Sequence, residues 1–425
     1  MLDIKFIREN PQLVKEGIEK KGADSSLVEK VLDLDAKRRE IIQQIDTLRA
    51  KKNAAEEKLV AASAVEKQDI LEVLKKAKAV LETQEQQLAE IEQEYRKNLS
   101  LIPNLPLPTV PVGRDERDNV VLREVGKKPK FDFKPLDYLT IAEKLDLIDT
   151  KRAAKTSGSR FGFLKREGAL LELALMKFAF DKLVKKGFLP VIPPVMIKPE
   201  LMWAMGYLDR GAEEVYYLPK DDLYLVGTAE QIIGAMHSGE IFEEEDLPRR
   251  YVAISTCFRR EAGSYGKDVK GILRVHQFDK TEMFIFSKPE EAQKEHELLL
   301  SLEEELMQEL GLPYRVINIC SGDLGDPAAS KFDIEAWFPG QNEGEGQYRE
   351  THSTSNCTDY QARRLNTKYR EKSTSDLKFV YTLNGTAFSQ RPILALIENY
   401  QTKEGFVRVP RVLVPYLGGL KIIKR

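Results

Sequence analysis

The chain has few of the residues that build disulfide frameworks or dedicated zinc sites. Its 425 residues include three cysteines and four histidines. Cys257, Cys320 and Cys357 show no CxxC spacing, and the histidines lie far apart in the sequence. Disulfide frameworks and structural zinc sites depend on paired or closely spaced ligands. We therefore expect a protein of a reducing compartment, the cytoplasm, and no zinc.

Long apolar runs are also missing. No run of about 18 apolar residues occurs, and the N-terminal stretch MLDIKFIRENPQLVKEGIEKKG lacks an uninterrupted apolar core, which argues against a membrane span or a signal peptide. The composition, 42% hydrophobic and 32% charged residues, is that of a globular protein of two or three domains. We expect no membrane partner.

A charge excess of either sign is absent too. Lys and Arg number 66 against 68 Asp and Glu, for a formal net charge of −2. No global positive field is available to attract a nucleic acid, so such a partner has to be bound by local basic patches.

Glycine and proline are absent between Leu34 and Asn98, where Lys, Glu, Ala, Gln and Leu dominate. This composition is typical of long exposed helices. Apolar residues recur at heptad spacing in two blocks, separated by VAASAVEKQD, where the pattern breaks. The heptad positions are Leu34, Ile41, Ile45, Leu48, Ala55 and Leu59, and then Ile70, Leu74, Ala77, Leu81, Leu88, Ile91 and Tyr95. The pattern predicts an antiparallel coiled-coil hairpin of two helices, each of about 26 to 29 residues or roughly 40 Å.

The two predicted helices differ in charge. The first is rich in Lys and Arg, whereas the second becomes acidic towards its end, at Glu90, Glu92 and Glu94. From the residues alone, a solvated surface with ion pairs between the helices is the simpler explanation. A basic surface for phosphates is the alternative.

The segment LSLIPNLPLPTVPVG ends the hairpin, because its four prolines exclude a helix. Beyond it, β-rich stretches such as RRYVAISTCF alternate with helical ones such as EEAQKEHELLLSLEEELMQELG, which predicts a mixed domain with substantial antiparallel sheet. We divide the chain into an N-terminal domain at 1–100, a proline-rich linker at 101–113 and a larger domain at 114–425.

One stretch in the larger domain, FRREAGSYGKDVKGILRVHQF, is rich in cations. Strand alternation predicts that Cys257, Arg259 and Glu261 share one face of the first strand. In the return strand, alternation predicts a second set of five residues that also share one face. That set is Arg274, His276, Phe278, Lys280 and Glu282. The connecting loop, which carries Lys267 and Lys270, is long, glycine-rich and suited to a phosphate backbone. An ordinary surface hairpin with cross-strand pairs explains the stretch equally well.

Three further segments carry polar groups of chemical interest. GTAE places Thr228 and Glu230 after an apolar strand, as ligands for an amine or as a helix cap and first-turn acid. RETHS places Glu350 and Ser353 three residues apart, as oxygen ligands for Mg²⁺ or as local turn caps. RPILALIENYQ begins a helix at Pro392, preceded by Arg391, where an anionic phosphate could bind.

The ordered set FRRE, RVHQF, NGTA and RPILALIENYQ, with GTAE before it and a helical arm ahead, resembles the bacterial-type seryl-tRNA synthetases, which are class II aminoacyl-tRNA synthetases. The resemblance spans nearly the whole chain. It implies an α+β fold, an antiparallel β-sheet flanked by helices, with the coiled-coil hairpin as an N-terminal tRNA-binding arm. It also implies a cytoplasmic homodimer, in which GALLELALMKFAFDKLVKKGFLPVIPPVM, with its motif proline Pro194, forms the dimer interface.

The activity implied by the resemblance is serine–tRNA ligation. Serine reacts with ATP and Mg²⁺ to form seryl-adenylate, and the seryl group is then transferred to the 3′ end of tRNA(Ser). The resemblance leaves tRNA(Sec) open as a second substrate. It assigns the central catalytic roles to Arg259 and Arg391, which stabilise charge on the phosphates.

The remaining site residues also follow from the resemblance. The implied serine ligands are Thr228, Ala229, Glu230, Arg259, Glu282 and Thr386, with Glu230 on the amine and Glu282 on the hydroxyl. The implied ATP ligands are Arg259, Arg260, Glu261, Arg274, Val275, Phe278, Glu350, Thr351, His352, Ser353 and Arg391. The implied Mg²⁺ ligands are Glu350 and Ser353. The implied tRNA contacts are Lys37, Arg38, Arg49, Lys51 and Lys52 in the arm, and Lys267 and Lys270 in the loop.

Two departures from the family pattern affect these assignments. The segment from Asn384 to Arg391 is one residue shorter than usual, so Thr386 and Arg391 need not both keep their family positions. The motif ETHS also carries His352, which we interpret as a structural histidine rather than a catalytic one.

Two rival functions remain open from the sequence. One is a related ligase that loads an amino acid onto a carrier protein, although those relatives lack the arm and use zinc. The other is a catalytically silent paralogue that acts as a scaffold, against which the presence of Arg259, Glu261, Glu350 and Arg391 argues.

Overall fold

A computed structural model of the chain describes residues 1–61, 63–262 and 270–425. The chain folds as two compact units, Met1–Pro103 and Asn104–Arg425. No helix among the described residues is long and apolar enough to cross a membrane.

Among the described residues, four α-helices lie in the first unit and the remaining α-helices lie in the second. The α-helices are α1 (Ile4–Glu9), α2 (Pro11–Glu19), α3 (Ser26–Ala61), α4 (Ala64–Ser100), α5 (Tyr138–Leu145), α6 (Thr150–Ser157), α7 (Glu167–Lys185), α8 (Pro199–Ala204), α9 (Ala229–Met236), α10 (Ala292–Leu310), α11 (Tyr360–Leu365) and α12 (Arg391–Asn399).

Helices α3 and α4 form the predicted antiparallel hairpin. They contain 36 and 37 residues, so the predicted lengths were too short. Among the heptad positions, Leu34, Ile45, Leu81 and Tyr95 are buried. Helix α4 begins after Ser63, whose backbone N–H and hydroxyl both donate to the Glu66 carboxylate, at 2.9 and 2.7 Å. This capping box starts a new helix at the place where the heptad pattern of the sequence breaks.

The β-strands all lie in the second unit. They are β1 (Val120–Val125), β2 (Ile148–Asp149), β3 (Phe163–Leu164), β4 (Leu189–Val191), β5 (Met196–Ile197), β6 (Tyr216–Leu218), β7 (Leu223–Leu225), β8 (Ile241–Glu243), β9 (Arg249–Phe258), β10 (Gln277–Ser287), β11 (Tyr314–Asn318), β12 (Ser330–Phe338), β13 (Gln347–Asn356), β14 (Lys368–Arg370), β15 (Leu377–Phe379), β16 (Tyr381–Phe388), β17 (Val407–Arg408) and β18 (Ile422–Ile423).

The main sheet has the strand order β1-β11-β12-β13-β16-β10-β9-β4. Its neighbouring strands are antiparallel except for β4, which runs parallel to β9. Helices α7 and α10 pack on one face, where Met283 and Ile285 of β10 join the core. The alternating residues Lys280 and Glu282 point to the opposite face. The α+β fold predicted from the sequence is therefore confirmed.

The segment that follows the hairpin is irregular, as its prolines predict. Within the second unit, the Asn104 side chain donates to the carbonyls of Pro327 and Cys357, both at 2.8 Å. The Leu107 N–H donates to the Ala329 carbonyl at 2.8 Å. From Asn104 onwards the segment is thus bound to the rest of the second unit by hydrogen bonds.

The Glu398 carboxylate joins α12 to the start of α5 and to the loop that carries Gly340 and Gln341. It accepts from the N–H groups of Tyr138 and Gly340, at 2.9 and 2.7 Å, and from the Gln341 side chain at 2.7 Å. Burial raises the pKa of this fully buried side chain to about 7, although the three donors oppose the shift.

We predict that Glu398→Gln destabilises the second unit by about 1 to 3 kcal/mol at pH 8, where Glu398 is mostly ionised. The NH₂ group of the glutamine would face N–H groups that now donate to the carboxylate, so at least one of these buried donors would lose its acceptor. Chemical denaturation followed by tryptophan fluorescence measures this unit, since Trp203 and Trp337 both lie in it. The exposed Glu290 gives a matched control, and Glu290→Gln should change stability by less than about 0.5 kcal/mol. Equal stability of the two variants contradicts this role of Glu398.

His296 of α10 is almost completely buried, 5.1 Å from the Phe332 ring. Burial lowers its pKa to about 4, although a contact with the Thr354 carbonyl opposes this. As the pH falls from about 6.5 to 4, the unfolded chain binds a proton at this residue and the folded chain does not. The stability associated with neutral His296 is therefore present above pH 6.5 and is lost progressively below it, by about 1.4 kcal/mol per pH unit.

We predict that replacement of His296 by glutamine makes the free energy of unfolding less dependent on pH between pH 6.5 and 4.5. The measurement is the pH slope of urea unfolding, again by tryptophan fluorescence. If the substitution lowers the free energy of unfolding by the same amount at every pH, the slope against pH does not change, so the comparison of slopes still reports on titration. Identical slopes for the two proteins rule out His296 as the titrating group.

Candidate active site

A cleft of about 900 Å³ lies on the sheet face opposite α7 and α10. Most of the residues predicted for the site line this single cleft. They are Thr228, Glu230, Arg259, Glu261, Arg274, Val275, Phe278, Glu350, Thr351, His352, Ser353, Thr386 and Arg391.

Three predicted ligands are not among the lining residues. Ala229 is buried in α9, and the exposed Arg260 extends its guanidinium over the Tyr216 ring at 5.9 Å. Glu282 is 1% exposed and is ion-paired with Lys280. Of the two loop lysines, Lys270 is exposed and Lys267 lies outside the described residues.

Strands β9 and β10 supply the predicted hairpin, with Cys257 opposite Phe278. The strands are shorter than predicted, because β9 ends at Phe258 and β10 begins at Gln277. The chain continues the pairing through the N–H of Arg259, which donates to the His276 carbonyl at 3.0 Å. The predicted alternation fails beyond this point. His276 packs against the Phe161 and Tyr216 rings instead of joining Arg274 on the cleft wall.

Arg259 is held at the centre of the cleft by two contacts. Its Nε donates to the Gly227 carbonyl at 3.1 Å, and its guanidinium lies 5.2 Å from the centre of the Phe278 ring. On one side, Arg274 forms an ion pair with Glu261 at 3.3 Å. A cation and an aromatic face are thus presented side by side, which suits a nucleotide.

Arg391 lies at the start of α12, one residue earlier than the predicted helix start. Its Nη1 lies 3.1 Å from the Glu350 carbonyl oxygen and 3.2 Å from the Glu350 carboxylate. Desolvation acts to raise the pKa of Glu350, but Arg391 and Lys331 outweigh it and lower the pKa to about 2. Glu350 is therefore ionised at neutral pH.

A β-bulge explains how Glu350 and Ser353 come to face the same side. Residues three apart in a regular strand point to opposite faces. Here Glu350 pairs with Glu335 but His352 pairs with Ile334, so Thr351 is an extra residue in β13. The bulge restores the common orientation of Glu350 and Ser353 towards the cleft.

These two residues offer a carboxylate and a hydroxyl oxygen, the hard ligands that Mg²⁺ prefers. The described residues include no group of three or more His, Cys, Asp or Glu side chains suited to a metal. A donor pair of this kind fits a Mg²⁺ ion whose remaining ligands are phosphate oxygens and water, the usual arrangement for Mg²⁺ with a nucleotide.

His352 lines the cleft but is 1% exposed. Its Nδ1 lies 2.8 Å from the Thr351 hydroxyl, and its ring packs against Phe388. Burial lowers the pKa of His352 to about 3, so the ring is neutral at physiological pH. The structural role of His352 stays a prediction.

Lys280 and Lys331 are cationic residues on the cleft wall to which the sequence assigned no role. The ammonium group of Lys280 lies 2.5 Å from Glu282 and donates to the Thr228 hydroxyl at 3.2 Å. Lys331 lies 3.2 Å from Asp333. Strand alternation had placed Lys280 on the correct face, and the same signal in SKFDIEAW could have identified Lys331. Burial raises the pKa of Glu282, although Lys280 opposes it.

In the helical hairpin, the basic candidates fall into two groups. Arg38 pairs with Glu92 at 3.0 Å and Arg49 with Glu85 at 2.7 Å, both between the helices. The interhelical ion pairs considered from the sequence are therefore present. Lys52 pairs with Glu56 along its own helix at 3.4 Å. Within the described part of the chain, the exposed Lys37 and Lys51 form no ion pair.

Comparison with known proteins begins with two family models. The model "tRNA synthetase class II core domain (G, H, P, S and T)" matches residues 216–400. The model "Seryl-tRNA synthetase N-terminal domain" matches residues 1–106. Together with the antiparallel sheet and its cleft, the first match makes the chain a class II tRNA synthetase.

Relatives extend the similarity over the whole chain. Serine–tRNA ligase of Thermobifida fusca is 46% identical over 98% of each protein, and that of Rhodococcus jostii is 47% identical over 98% of this chain and 99% of the relative. The solved seryl-tRNA synthetase of Pyrococcus horikoshii, complexed with ATP, has a TM-score of 0.92 and 41% identity over 100% of this chain and 99% of that one. The chain belongs to the seryl-tRNA synthetase family.

A more distant structure shares the fold alone. Prolyl-tRNA synthetase of Giardia lamblia, in complex with prolyl-adenylate, has a TM-score of 0.57 at 17% identity. The aligned region spans 67% of this chain and 58% of the prolyl-tRNA synthetase chain.

Proposed function

We propose that this protein is a serine–tRNA ligase, which activates L-serine with ATP and transfers it to the 3′ end of tRNA(Ser). The observation that carries the proposal is the convergence of Arg259, Arg391 and the Phe278 ring on one cleft. In addition, relatives called serine–tRNA ligase are similar along nearly the whole chain.

At the nucleotide end of the cleft, the adenine ring stacks on Phe278, and the Glu261 carboxylate accepts a hydrogen bond from its amino group. Arg274 and Val275 complete this end. Arg259 contacts the α-phosphate, and Arg391 contacts the γ-phosphate. Glu350 and Ser353 hold Mg²⁺, which supplies charge neutralisation for the phosphates when bound.

The first step needs no protein nucleophile. An oxygen of the serine carboxylate, already deprotonated at neutral pH, forms a bond to the α-phosphorus. The bond between the α- and β-phosphates breaks, and pyrophosphate leaves with the electron pair. Catalysis then rests on positioning and on cations that stabilise the developing charge, the roles proposed for Arg259 and Arg391.

In the second step, the hydroxyl oxygen of the terminal tRNA ribose forms a bond to the seryl carbonyl carbon, and AMP leaves. The hydroxyl proton is released to solvent, and the departing AMP phosphate keeps the electron pair of the broken bond to the seryl carbonyl carbon. We propose that the basic residues of α3, together with the loop lysines Lys267 and Lys270, bind tRNA phosphates.

At the serine end, Glu230 binds the amine, and Thr228 and Thr386 line the same pocket. A contact between Glu282 and the serine hydroxyl requires Lys280 to turn away from Glu282. When alanine binds, Glu282 keeps its ion pair with Lys280 and only one hydrogen bond to a charged group is lost, which should disfavour alanine by about 10- to 100-fold.

We also propose a homodimer in the cytoplasm. Support comes from the exposed apolar residues of the predicted interface segment. Leu170 and Leu173 of α7 are 51% and 63% exposed, and Ile192 after β4 is 84% exposed. Exposed apolar residues grouped in this way are typical of protein interfaces. Analytical ultracentrifugation of the whole chain tests this point.

Aminoacylation tests the proposed function directly. Purified protein with ATP, Mg²⁺ and radiolabelled serine should charge tRNA(Ser) and leave acyl carrier proteins unlabelled. Labelling of a carrier protein without tRNA charging would instead support the related carrier-loading ligase. Absence of both, with intact binding of tRNA, would support the scaffold.

A further inference from the structure

The carboxylate of Glu230 is held by neutral donors. Glu230 is 6% exposed, and its Oε2 accepts a hydrogen bond from the Tyr207 hydroxyl at 2.8 Å. Its Oε1 accepts one from the side-chain amide of Gln361 at 2.9 Å. Among the described residues no Lys or Arg pairs with Glu230, in contrast to Glu282 with Lys280. The negative charge of Glu230 is thus left for a cationic ligand.

Gln361 lies behind this carboxylate, on α11, and does not line the cleft. Its side chain is completely buried. Besides Glu230, its amide nitrogen donates to the Met205 carbonyl at 3.2 Å. Its amide oxygen accepts from the Thr382 hydroxyl at 2.7 Å. Each polar atom of the side chain therefore has a partner.

The partners fix which way the amide points. A carbonyl oxygen and an ionised carboxylate can only accept hydrogen bonds, so the side of Gln361 facing Met205 and Glu230 has to be the NH₂ group. Its oxygen then faces Thr382, whose hydroxyl serves as the donor. A reversed amide would place an oxygen against the Glu230 carboxylate, with mutual repulsion and an unsatisfied buried group.

We propose that Gln361, oriented by Thr382, is a positioning residue that aims the Glu230 carboxylate at the amine of the amino acid substrate. This inference rests on the proposed function, since it deepens the assignment of the serine pocket. It makes Gln361 and Thr382 determinants of affinity for the substrate amine, although neither side chain touches the substrate.

The test compares Thr382→Val with Thr382→Ser in serine-dependent pyrophosphate exchange. Valine removes the hydroxyl at nearly constant volume and should raise the KM for serine about tenfold, with the KM for ATP unchanged within about twofold. Serine keeps the hydroxyl and should restore the KM to within about twofold of wild type. Gln361→Met, which removes both polar atoms, should raise the serine KM at least as much as Thr382→Val.

A matched control is Thr367→Val. Thr367 is equally buried, and its hydroxyl donates one hydrogen bond, to the His237 carbonyl at 3.0 Å, outside the cleft. Its replacement should leave the serine KM unchanged. If Thr367→Val and Thr382→Val raise it equally, the effect is a general one of stability, and the inference is wrong.

L-glycerate, in which a hydroxyl replaces the amine, makes the test specific. Its inhibition constant in the exchange assay should change by less than about twofold in Thr382→Val, because the positioned carboxylate serves the ammonium group. Equal weakening of serine and glycerate overturns the inference, as does a normal serine KM in Thr382→Val and Gln361→Met. An inactive wild type refutes the proposed function instead.

Discussion

Arg259→Gln is expected to lower the rate of serine-dependent pyrophosphate exchange by about 10² to 10³, the usual cost of removing one group that stabilises transition-state charge. Arg259 is held over Phe278 by its hydrogen bond to Gly227. Glutamine keeps polarity at this place but has no positive charge for the α-phosphate. The KM for ATP should rise less than the rate falls, because charge develops on the phosphate mainly during the reaction.

The adjacent residue provides a matched control. Arg260 carries the same side chain, yet it lies over Tyr216 and away from the cleft wall. Arg260→Gln should therefore reduce the exchange rate less than about threefold. A loss in Arg260→Gln as large as that in Arg259→Gln would show that the hairpin depends on overall positive charge and not on one positioned guanidinium.

The second large effect concerns the helical hairpin. Replacement of Lys37, Arg38, Arg49, Lys51 and Lys52 by glutamine should lower kcat/KM for tRNA by about ten- to a hundredfold at moderate salt, because phosphate contacts are lost together with the counterions they release. Serine-dependent pyrophosphate exchange, which needs no tRNA, should be unchanged. The salt dependence of tRNA binding should also become less steep.

The structure allows this effect to be divided. Arg38 and Arg49 are already bound to Glu92 and Glu85, whereas Lys37 and Lys51 are exposed and form no ion pair with another described residue. We expect Lys37→Gln with Lys51→Gln to reduce the salt slope by about 2, one unit for each phosphate contact. As a control, Lys75→Gln with Lys78→Gln changes two exposed lysines of α4 and should leave the slope unchanged. Equal slopes in both double variants would exclude Lys37 and Lys51 as phosphate contacts.

The sequence predicts most of the fold for physical reasons that remain visible in the structure. Heptad spacing identified the hairpin, since Leu34, Ile45, Leu81 and Tyr95 are buried where a coiled coil requires apolar residues. Its first helix was predicted too short, although Leu27 and Val31 continue the same spacing before Leu34 and Val31 is buried. Strand alternation likewise predicted the orientation of Phe278 and Lys280, which both line the cleft.

The features that the sequence did not predict depend on contacts between distant segments. The bulge at Thr351 arises from pairing with β12, and no local signal in RETHS announces it. The ion pair between Lys280 and Glu282 changes the environment of a proposed serine ligand, although alternation only shows that both residues share a face. The hydrogen bond from Gln361 to Glu230 joins residues 131 positions apart in the chain.

The most direct test of the proposed activity is amino-acid-dependent pyrophosphate exchange into ATP with serine, alanine and threonine compared. Exchange with serine should exceed exchange with alanine by about 10- to 100-fold in kcat/KM, because alanine lacks the hydroxyl that contacts Glu282. Threonine should also be a poor substrate, because its extra methyl group has to be excluded by the shape of the pocket. Exchange that is absent with all three amino acids, or equally fast with serine and alanine, would contradict the assignment of this cleft to serine activation.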